Sequence, residues 1–385
     1  MTQIYKKNIP GPATHALVIG VGYYAHLPGG KGKLYPDYEG LGQLTSPPQS
    51  ARVFADWLLT SYRNPVKPLA SIEMLISEPD ESTFTLPGGE IKDVERATFS
   101  KVKKALLKWK ERGDNNQDHL LIFFFCGHGV SKGYATSLLM EDFGKVPENP
   151  LEHALSFRDF YDGMDICQAR QQCYFIDACR TALPTLITRY NNYTGQPVIP
   201  GSAFLAALGA RTAPIFYATV PGDTAYGRTG EASVFTHALL KALKGAGSNN
   251  LEEEESWRVD TNTLNQGLDY LMRWTLGKSS GVGQVVSVDE LVNFTLHYLE
   301  GNPIVPVSIG CKPSEANLAA QLGYSKIESA GTVVRPDMQD TDWHVELELG
   351  EYHFSAEFPN GGYSSDYQDR SVTPPFRKVS LEVEK

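Results

Sequence analysis

The sequence lacks the features that would assign it to a membrane or to nucleic acid. It has no apolar run of the roughly 18 residues that a membrane-spanning helix requires, and the apolar stretch near its N-terminus, "ALVIGVG", is too short for a secretory signal. The net charge of −10 provides no basic surface for nonspecific nucleic-acid binding. The five cysteines are odd in number and form no CxxC pair, which argues against a disulfide framework and a structural zinc site. These absences predict a protein of the reducing cytoplasm.

Apolar runs alternate with amphipathic segments over most of the chain. The runs that are typical of buried parallel strands lie at 15–24, 71–77, 119–129, 135–142, 172–179 and 214–220. The segments with apolar residues at helical spacing lie at 46–62, 98–109 and 233–244. This pattern predicts an α/β domain over residues 12–298, in which helices cover both faces of a mostly parallel sheet.

The pattern changes after residue 302. Residues 343–358 alternate between apolar and polar side chains, and "KVSLEVE" near the C-terminus alternates in the same way. Alternation with a period of two is typical of strands with one buried face. Residues 303–385 are therefore predicted to form a small all-β, sandwich-like accessory domain.

Two of the predicted strands end in reactive side chains. "LLIFFFCGHG" leads to His128, and "QCYFIDAC" leads to Cys179. If these strands are neighbours, the imidazole and the thiol meet at the carboxyl edge of the sheet, where His can act as general acid and base and Cys as nucleophile. The backbone N–H groups of Cys179 and Gly129 are candidate oxyanion donors. The alternative is that each is a structural residue, the interpretation adopted here for Cys126, Cys167 and Cys173.

The combination "FFFCGHG" and, 51 residues after its His, "IDACR" resembles the caspase-like peptidases, the group of caspases, paracaspases and metacaspases. The segments "ALVIGVGYY", "SARVFADWL" and "YATVPGDTAYG" are similar to the same group, and the likeness covers residues 12–298. It implies a caspase-like fold and a thiol protease of bacterial type with a His128–Cys179 dyad and no cofactor. Some relatives require Ca²⁺, but the acids Asp142, Asp159 and Asp162 form no recognisable calcium loop, so no metal site is predicted.

The position of Asp177 suggests which peptide bond is cleaved. Side chains two apart on a strand share a face, so Asp177 is expected beside the nucleophile. An acid here resembles metacaspases, which implies cleavage after Arg or Lys at P1 through a charge-assisted contact. Metacaspases usually carry a second acid where this chain has Ser50, so Asp223 could replace it or the acid could be missing. The alternative is that Asp177 caps a turn or pairs with Arg180.

The likeness also implies self-processing. Residues 181–202 are polar and carry Pro and Gly, which predicts an exposed segment with Arg189 as the self-cleavage site. The accessory domain is expected to bind a protein substrate or an activator. Two other functions fit the sequence: a catalytically idle caspase-like scaffold, or a different cysteine-dependent hydrolase or acyltransferase without P1 preference.

Overall fold

The computed structural model describes residues 2–132, 135–180, 182–185, 195–199, 211–220, 229–250, 256–276, 286–329 and 331–385. These residues divide into two compact units. The first comprises Met1–Leu240 and Met272–Phe294, and the second comprises Lys241–Leu271 and Thr295–Lys385. The predicted domain limits, 12–298 and 303–385, stay a prediction. Among the described residues, no helix is both long enough and apolar enough to cross a membrane.

The described strands are numbered along the chain. The first eleven are β1 (Gln3–Lys6), β2 (Thr14–Val21), β3 (Leu69–Ser77), β4 (Ser82–Thr85), β5 (Ile91–Val94), β6 (Leu120–Gly127), β7 (Gly129–Lys132), β8 (Ala135–Leu139), β9 (Ala154–Ser156), β10 (Gln171–Ala178) and β11 (Ile215–Tyr217). The others are β12 (Arg258–Asp260), β13 (Ser287–Asp289), β14 (Thr295–Tyr298), β15 (Ile304–Lys312), β16 (Gln321–Lys326), β17 (Val333–Val334), β18 (Trp343–Glu348), β19 (Gly350–Glu357), β20 (Asp366–Val372) and β21 (Arg377–Glu382). The described α-helices are α1 (Ser46–Thr60), α2 (Phe99–Gly113), α3 (Phe157–Gly163), α4 (Val234–Lys241) and α5 (Thr261–Leu276).

The first unit is built on a seven-stranded sheet in the order β1-β3-β2-β6-β10-β11-β13. The five inner strands run parallel, and β1 and β13 pair antiparallel at the two edges. All eight residues of β2 and of β6 are buried, as expected for strands covered on both faces. The predicted α/β class is therefore confirmed.

Helices cover both faces of this sheet because neighbouring residues of a strand point to opposite sides. On one face, the ring of Phe54 in α1 stacks on Phe124 of β6, with ring centroids 4.4 Å apart. On the other face, Trp109 of α2 packs against Phe123, the adjacent residue of the same strand, with centroids 6.1 Å apart. The continuous apolar run of β6 therefore packs against helices on both faces of the sheet.

A smaller sheet, in the order β7-β8-β9, follows directly from the central one. Strand β7 begins at Gly129, so that His128 is the one residue between the last residue of β6 and this sheet. The backbone N–H of Leu139, at the end of β8, donates to the carbonyl of His128 at 3.0 Å. His128 is therefore held at a point where the backbone leaves one sheet and enters another.

The second unit contains a mixed sheet, β18-β15-β21, an antiparallel sheet, β17-β16-β19-β20, and the antiparallel pair β12-β14. Strands of both larger sheets contribute to one apolar core, which includes Val307, Leu322, Phe354, Leu381 and Leu347. The all-β sheets predicted at the C-terminus are therefore present.

Candidate active site

The two strands that lead to His128 and Cys179 are neighbours in the central sheet. Strands β6 and β10 pair in parallel over their whole length, and the last pair in register is Gly127 with Ala178. His128 and Cys179 are the residues that follow this pair, so both leave the sheet at its carboxyl edge. Ligands of open parallel sheets bind outside this edge.

Cys179 differs in exposure from the other cysteines. It is partly exposed, whereas Cys126, Cys167, Cys173 and Cys311 are buried, and none of the five forms a disulfide. Burial raises the pKa of the Cys126 and Cys173 thiols far above the ordinary range, which keeps them protonated and unreactive. Cys179 is thus the one of the five thiols that is accessible to solvent.

The imidazole of His128 is oriented by the main chain of the loop between β2 and α1. Its Nε2 lies 2.8 Å from the carbonyl oxygen of Gly42. A carbonyl can only accept, so Nε2 carries the proton and the lone pair of the neutral ring is on Nδ1. Burial lowers the pKa of His128 to about 4, and the bond to Gly42 opposes this shift. His128 is consequently neutral at pH 7 and able to accept a proton.

Two further residues support the histidine. The backbone N–H of His128 donates to the hydroxyl of Tyr24 at 2.7 Å, and the two rings lie 4.8 Å apart. The side-chain amide of Gln43 bonds to both main-chain groups of Tyr24. Its Oε1 accepts from the N–H of Tyr24 at 2.8 Å, and its Nε2 donates to the carbonyl of Tyr24 at 3.0 Å. The loop that carries Gly42 is thereby fastened to the residue that contacts His128.

Gly129 lies tightly against the segment of the nucleophile. A Cβ atom at this position would be 2.5 Å from the carbonyl oxygen of Cys179 and 3.0 Å from the Cβ of Ala178. No larger residue fits without displacing one of the two segments. This close approach explains why glycine follows the histidine.

Asp177 is buried beneath the same edge, with 2% of its surface exposed. Its Oδ2 accepts hydrogen bonds from three side chains. The donors are the hydroxyl of Ser233, the hydroxyl of Thr236 at 2.8 Å and the thiol of Cys126 at 3.2 Å. Burial raises the pKa of Asp177, whereas the three donors lower it. The hydroxyl of Ser50, which is itself fully buried, accepts from the N–H of Ser233 at 2.9 Å. Asp177 therefore belongs to a buried polar cluster with the start of α4.

Arg180 does not pair with Asp177. Its guanidinium lies over the ring of Tyr217, 4.0 Å from the centroid, and the residue is 2% exposed. Asp177 does not cap α4 either, because the backbone N–H of Thr236 donates to the hydroxyl of Ser233 at 3.0 Å, and Asp177 reaches the start of the helix only through the hydroxyls of Ser233 and Thr236.

The remaining candidate residues have other partners or lie outside the described residues. Asp223 and Arg189 are outside the described ranges. Asp142 accepts from the N–H of Phe99 at 2.8 Å, and Asp162 pairs with Arg158 at 3.0 Å. Within the described ranges, no three His, Cys, Asp or Glu side chains are grouped so that they could hold a metal ion.

The sequence did not reveal Gly42, Tyr24 or Ser233 as parts of the site. Gly42 acts through its carbonyl group, which every residue has, so its side chain gives no signal. Tyr24 could have been found, because it lies just after the end of β2, at the same edge of the sheet as His128. Cys126 was assigned to the core and is buried there, but its thiol also contacts Asp177.

Comparison with known proteins identifies the family of this chain. The family model of the caspase domain, of peptidase family C14, matches residues 13–256. The chain is 28% identical over 295 residues to an uncharacterized protein of Sinorhizobium fredii, covering 69% of this chain and 81% of that protein. It is 26% identical over 234 residues to a probable protease of a Desulfuromonadales bacterium, covering 57% of this chain but only 24% of that protease. Caspase-1 of Spodoptera frugiperda is similar over 74% of this chain and 93% of its own, with a TM-score of 0.40 and 14% identity. The match to the family model extends over more than half of the sequence and confirms the resemblance noted above: this chain belongs to the caspase family of peptidases.

Proposed function

We propose that the chain is a cysteine endopeptidase in which His128 and Cys179 form a catalytic dyad. The observation that supports this most directly is the pairing of β6 with β10, because both residues follow the last pair in register, Gly127 with Ala178. The partial exposure of Cys179 and the close approach of Gly129 to its carbonyl agree with a substrate binding at this edge.

The chemistry follows from the protonation state of the histidine. Nδ1 of neutral His128 takes the proton of the Cys179 thiol, and the thiolate attacks the scissile carbonyl carbon. The N–H groups of Gly129 and Cys179 stabilise the oxyanion. As the C–N bond breaks, Nδ1 returns the proton to the leaving amine, and an acyl-thioester remains. Water then attacks the thioester carbon and loses a proton to Nδ1, which releases the carboxylic acid and restores the thiol.

Asp177 provides the specificity for Arg or Lys at P1. Its three donors all bond to Oδ2, and within the described ranges no residue donates to Oδ1 or forms an ion pair with the carboxylate. A buried carboxylate without a cationic partner favours a cationic ligand, since pairing offsets the cost of desolvating the charge. Asp223 is the second candidate acid for this pocket.

A fluorogenic panel of peptides ending in Arg, Lys or Asp tests the dyad and the specificity together. Wild-type protein should cleave the Arg and Lys peptides, and Cys179→Ala and His128→Ala should each abolish cleavage. Cys311→Ala and His26→Ala are the matched controls and should retain activity. Cleavage of all peptides at equal rates, or full activity in Cys179→Ala, would overturn the proposal.

The finer features of this protease form part of the same proposal. Autocatalytic cleavage occurs after Arg189 in the segment 181–202, the accessory domain binds a protein substrate or an activator, and the enzyme acts in the cytoplasm. Mass spectrometry of purified wild type should find a break after Arg189 that is missing in Cys179→Ala. An intact chain that is fully active would contradict self-processing but leave the dyad untouched.

A further inference from the structure

A cleft of about 450 Å³ opens at the end of the central sheet opposite to His128 and Cys179. It lies where the parallel strands begin, between the connection that follows β1, the first residues of β2 and β3, and the loop between α2 and β6. No step of the proposed protease mechanism uses this end of the sheet. The volume lies in the range typical of small-molecule sites.

The side chains that line the cleft are basic or neutral. They include Lys6, Lys7, His15, Arg112 and His119. None of the lining residues, all of which the structure describes, is Asp or Glu. These basic groups share one cleft, although the net charge of the whole chain is −10. Such a concave, single-sign site focuses the electrostatic potential and attracts anions.

Arg112 and the two histidines are held in place by buried partners. One Nη of Arg112 lies 2.5 Å from the carboxylate of Glu73, which is fully buried in β3. Nδ1 of His119 accepts the N–H of Ala13 at 2.9 Å, so the neutral ring carries its proton on Nε2 as a donor. Nδ1 of His15 lies 2.8 Å from the hydroxyl of Ser71. The site is therefore built in advance of any ligand, which reduces the entropy lost on binding.

The charges around the cleft leave a positive balance. The carboxylate of Glu73 offsets the charge of Arg112. The carboxylate of Asp118 and the ammonium group of Lys67 both lie close enough to His119 to shift its pKa, in opposite directions. The two ammonium groups of Lys6 and Lys7 add to this balance. A carboxylate ligand with a single charge would match only part of the donor set, whereas phosphate groups carry more charge and more acceptor oxygens.

We propose that this cleft binds a small anion that carries two or more phosphate-type charges, such as a diphosphate or a phosphorylated metabolite. Lys6 and Lys7 act as mobile point charges at the opening, while Arg112 and the Nε2–H group of His119 provide directed donors at the wall. This site is independent of the peptidase site, and its test does not depend on cleavage activity.

Calorimetric titration of the full chain with inorganic pyrophosphate, at constant ionic strength and without divalent cations, tests the proposal. The double variant Lys6→Glu/Lys7→Glu should bind pyrophosphate at least about tenfold more weakly, because it replaces two attractive charges by two repulsive ones. Both lysines are exposed, so the variant should fold. The matched control is Lys103→Glu/Lys104→Glu, which makes the same change of net charge on the exposed face of α2 and should bind like wild type.

Three results would overturn the proposal. The first is the absence of pyrophosphate binding to wild type. The second is an equal loss in the two double variants, which would indicate a general effect of charge. The third is equally tight binding of citrate, which would assign the cleft to carboxylates in place of phosphates.

Discussion

Replacing Gly129 by alanine should damage the proposed active site through a single added methyl group. The new Cβ would lie 2.5 Å from the carbonyl oxygen of Cys179 and 3.0 Å from the Cβ of Ala178. Ordinary contacts between carbon atoms are about 3.5 Å, so β7 and the segment of the nucleophile must separate by roughly half an ångström or more. Displacements of about 1 Å cost on the order of a hundredfold in rate, so we expect kcat/KM to fall by at least about tenfold. Overpacking should also lower the free energy of unfolding by about 1–3 kcal/mol.

Gly42→Ala is the matched control for this experiment. Gly42 also contacts His128 of the proposed dyad, through its carbonyl, but apart from its chain neighbours no atom of the described residues lies within 4 Å of the position that a Cβ would occupy there. The two variants should be compared for kcat/KM on an Arg-ending peptide and for stability in urea. If Gly129→Ala matches Gly42→Ala in both measurements, the close approach of β7 to Cys179 is wrong.

Three further changes test the support of the site and the buried charges. Tyr24→Phe removes the acceptor of the His128 N–H and should cost about 1–3 kcal/mol of unfolding free energy in urea. Tyr367→Phe is the control and should cost less than about 0.5 kcal/mol, because among the described residues its hydroxyl bonds only to the exposed Glu357 at 3.2 Å; equal effects would contradict the role of the Tyr24 hydroxyl. Asp177→Asn should lower kcat/KM on Arg-ending peptides by about 10- to 100-fold, and an unchanged value would refute its contact with P1. Burial, with the nearby His119 and Arg112, lowers the pKa of His15 from the ordinary 6.5 to about 3, so protonation favours the unfolded chain and stability is lost as pH falls below 6.5. At pH 5 the free energy of unfolding of wild type should be lower by about 2 kcal/mol because of this residue. Between pH 7 and pH 5, the variant His15→Asn should therefore lose about 2 kcal/mol less than wild type in urea unfolding, and equal losses in the two proteins would refute the linkage.

The presence of the inner strands and their mostly parallel direction could be predicted because their signal is local, whereas their order in the sheet could not. Runs such as β6, apolar on both faces, occur where a sheet is covered on both sides, and Phe123 and Phe124 do pack on opposite helices. The edge strand β1 was not predicted, since its four residues, "QIYK", carry no pattern and pair with β3 through the backbone.

The candidate site was only partly accessible to sequence reasoning. His128 and Cys179 carry recognisable chemistry at strand ends, so their meeting could be proposed before the pairing of β6 and β10 was known. The hydroxyl of Ser233 reaches Asp177 across 56 positions of the chain, and no short motif encodes a contact of that range. The hydrogen bond from His128 to Gly42 spans 86 positions and involves no side chain of the acceptor.

That backbone acceptor has a consequence for how the proposed peptidase activity could be inhibited. An alanine scan would pass over Gly42, because every substitution except one that redirects the main chain leaves its carbonyl in place. What can move the carbonyl is a displacement of the whole loop, which the Gln43 amide fastens to Tyr24. A small molecule or protein that pulls this loop outward would remove the acceptor that orients the imidazole of His128, and would thereby inhibit the proposed dyad while leaving both of its reactive groups chemically intact.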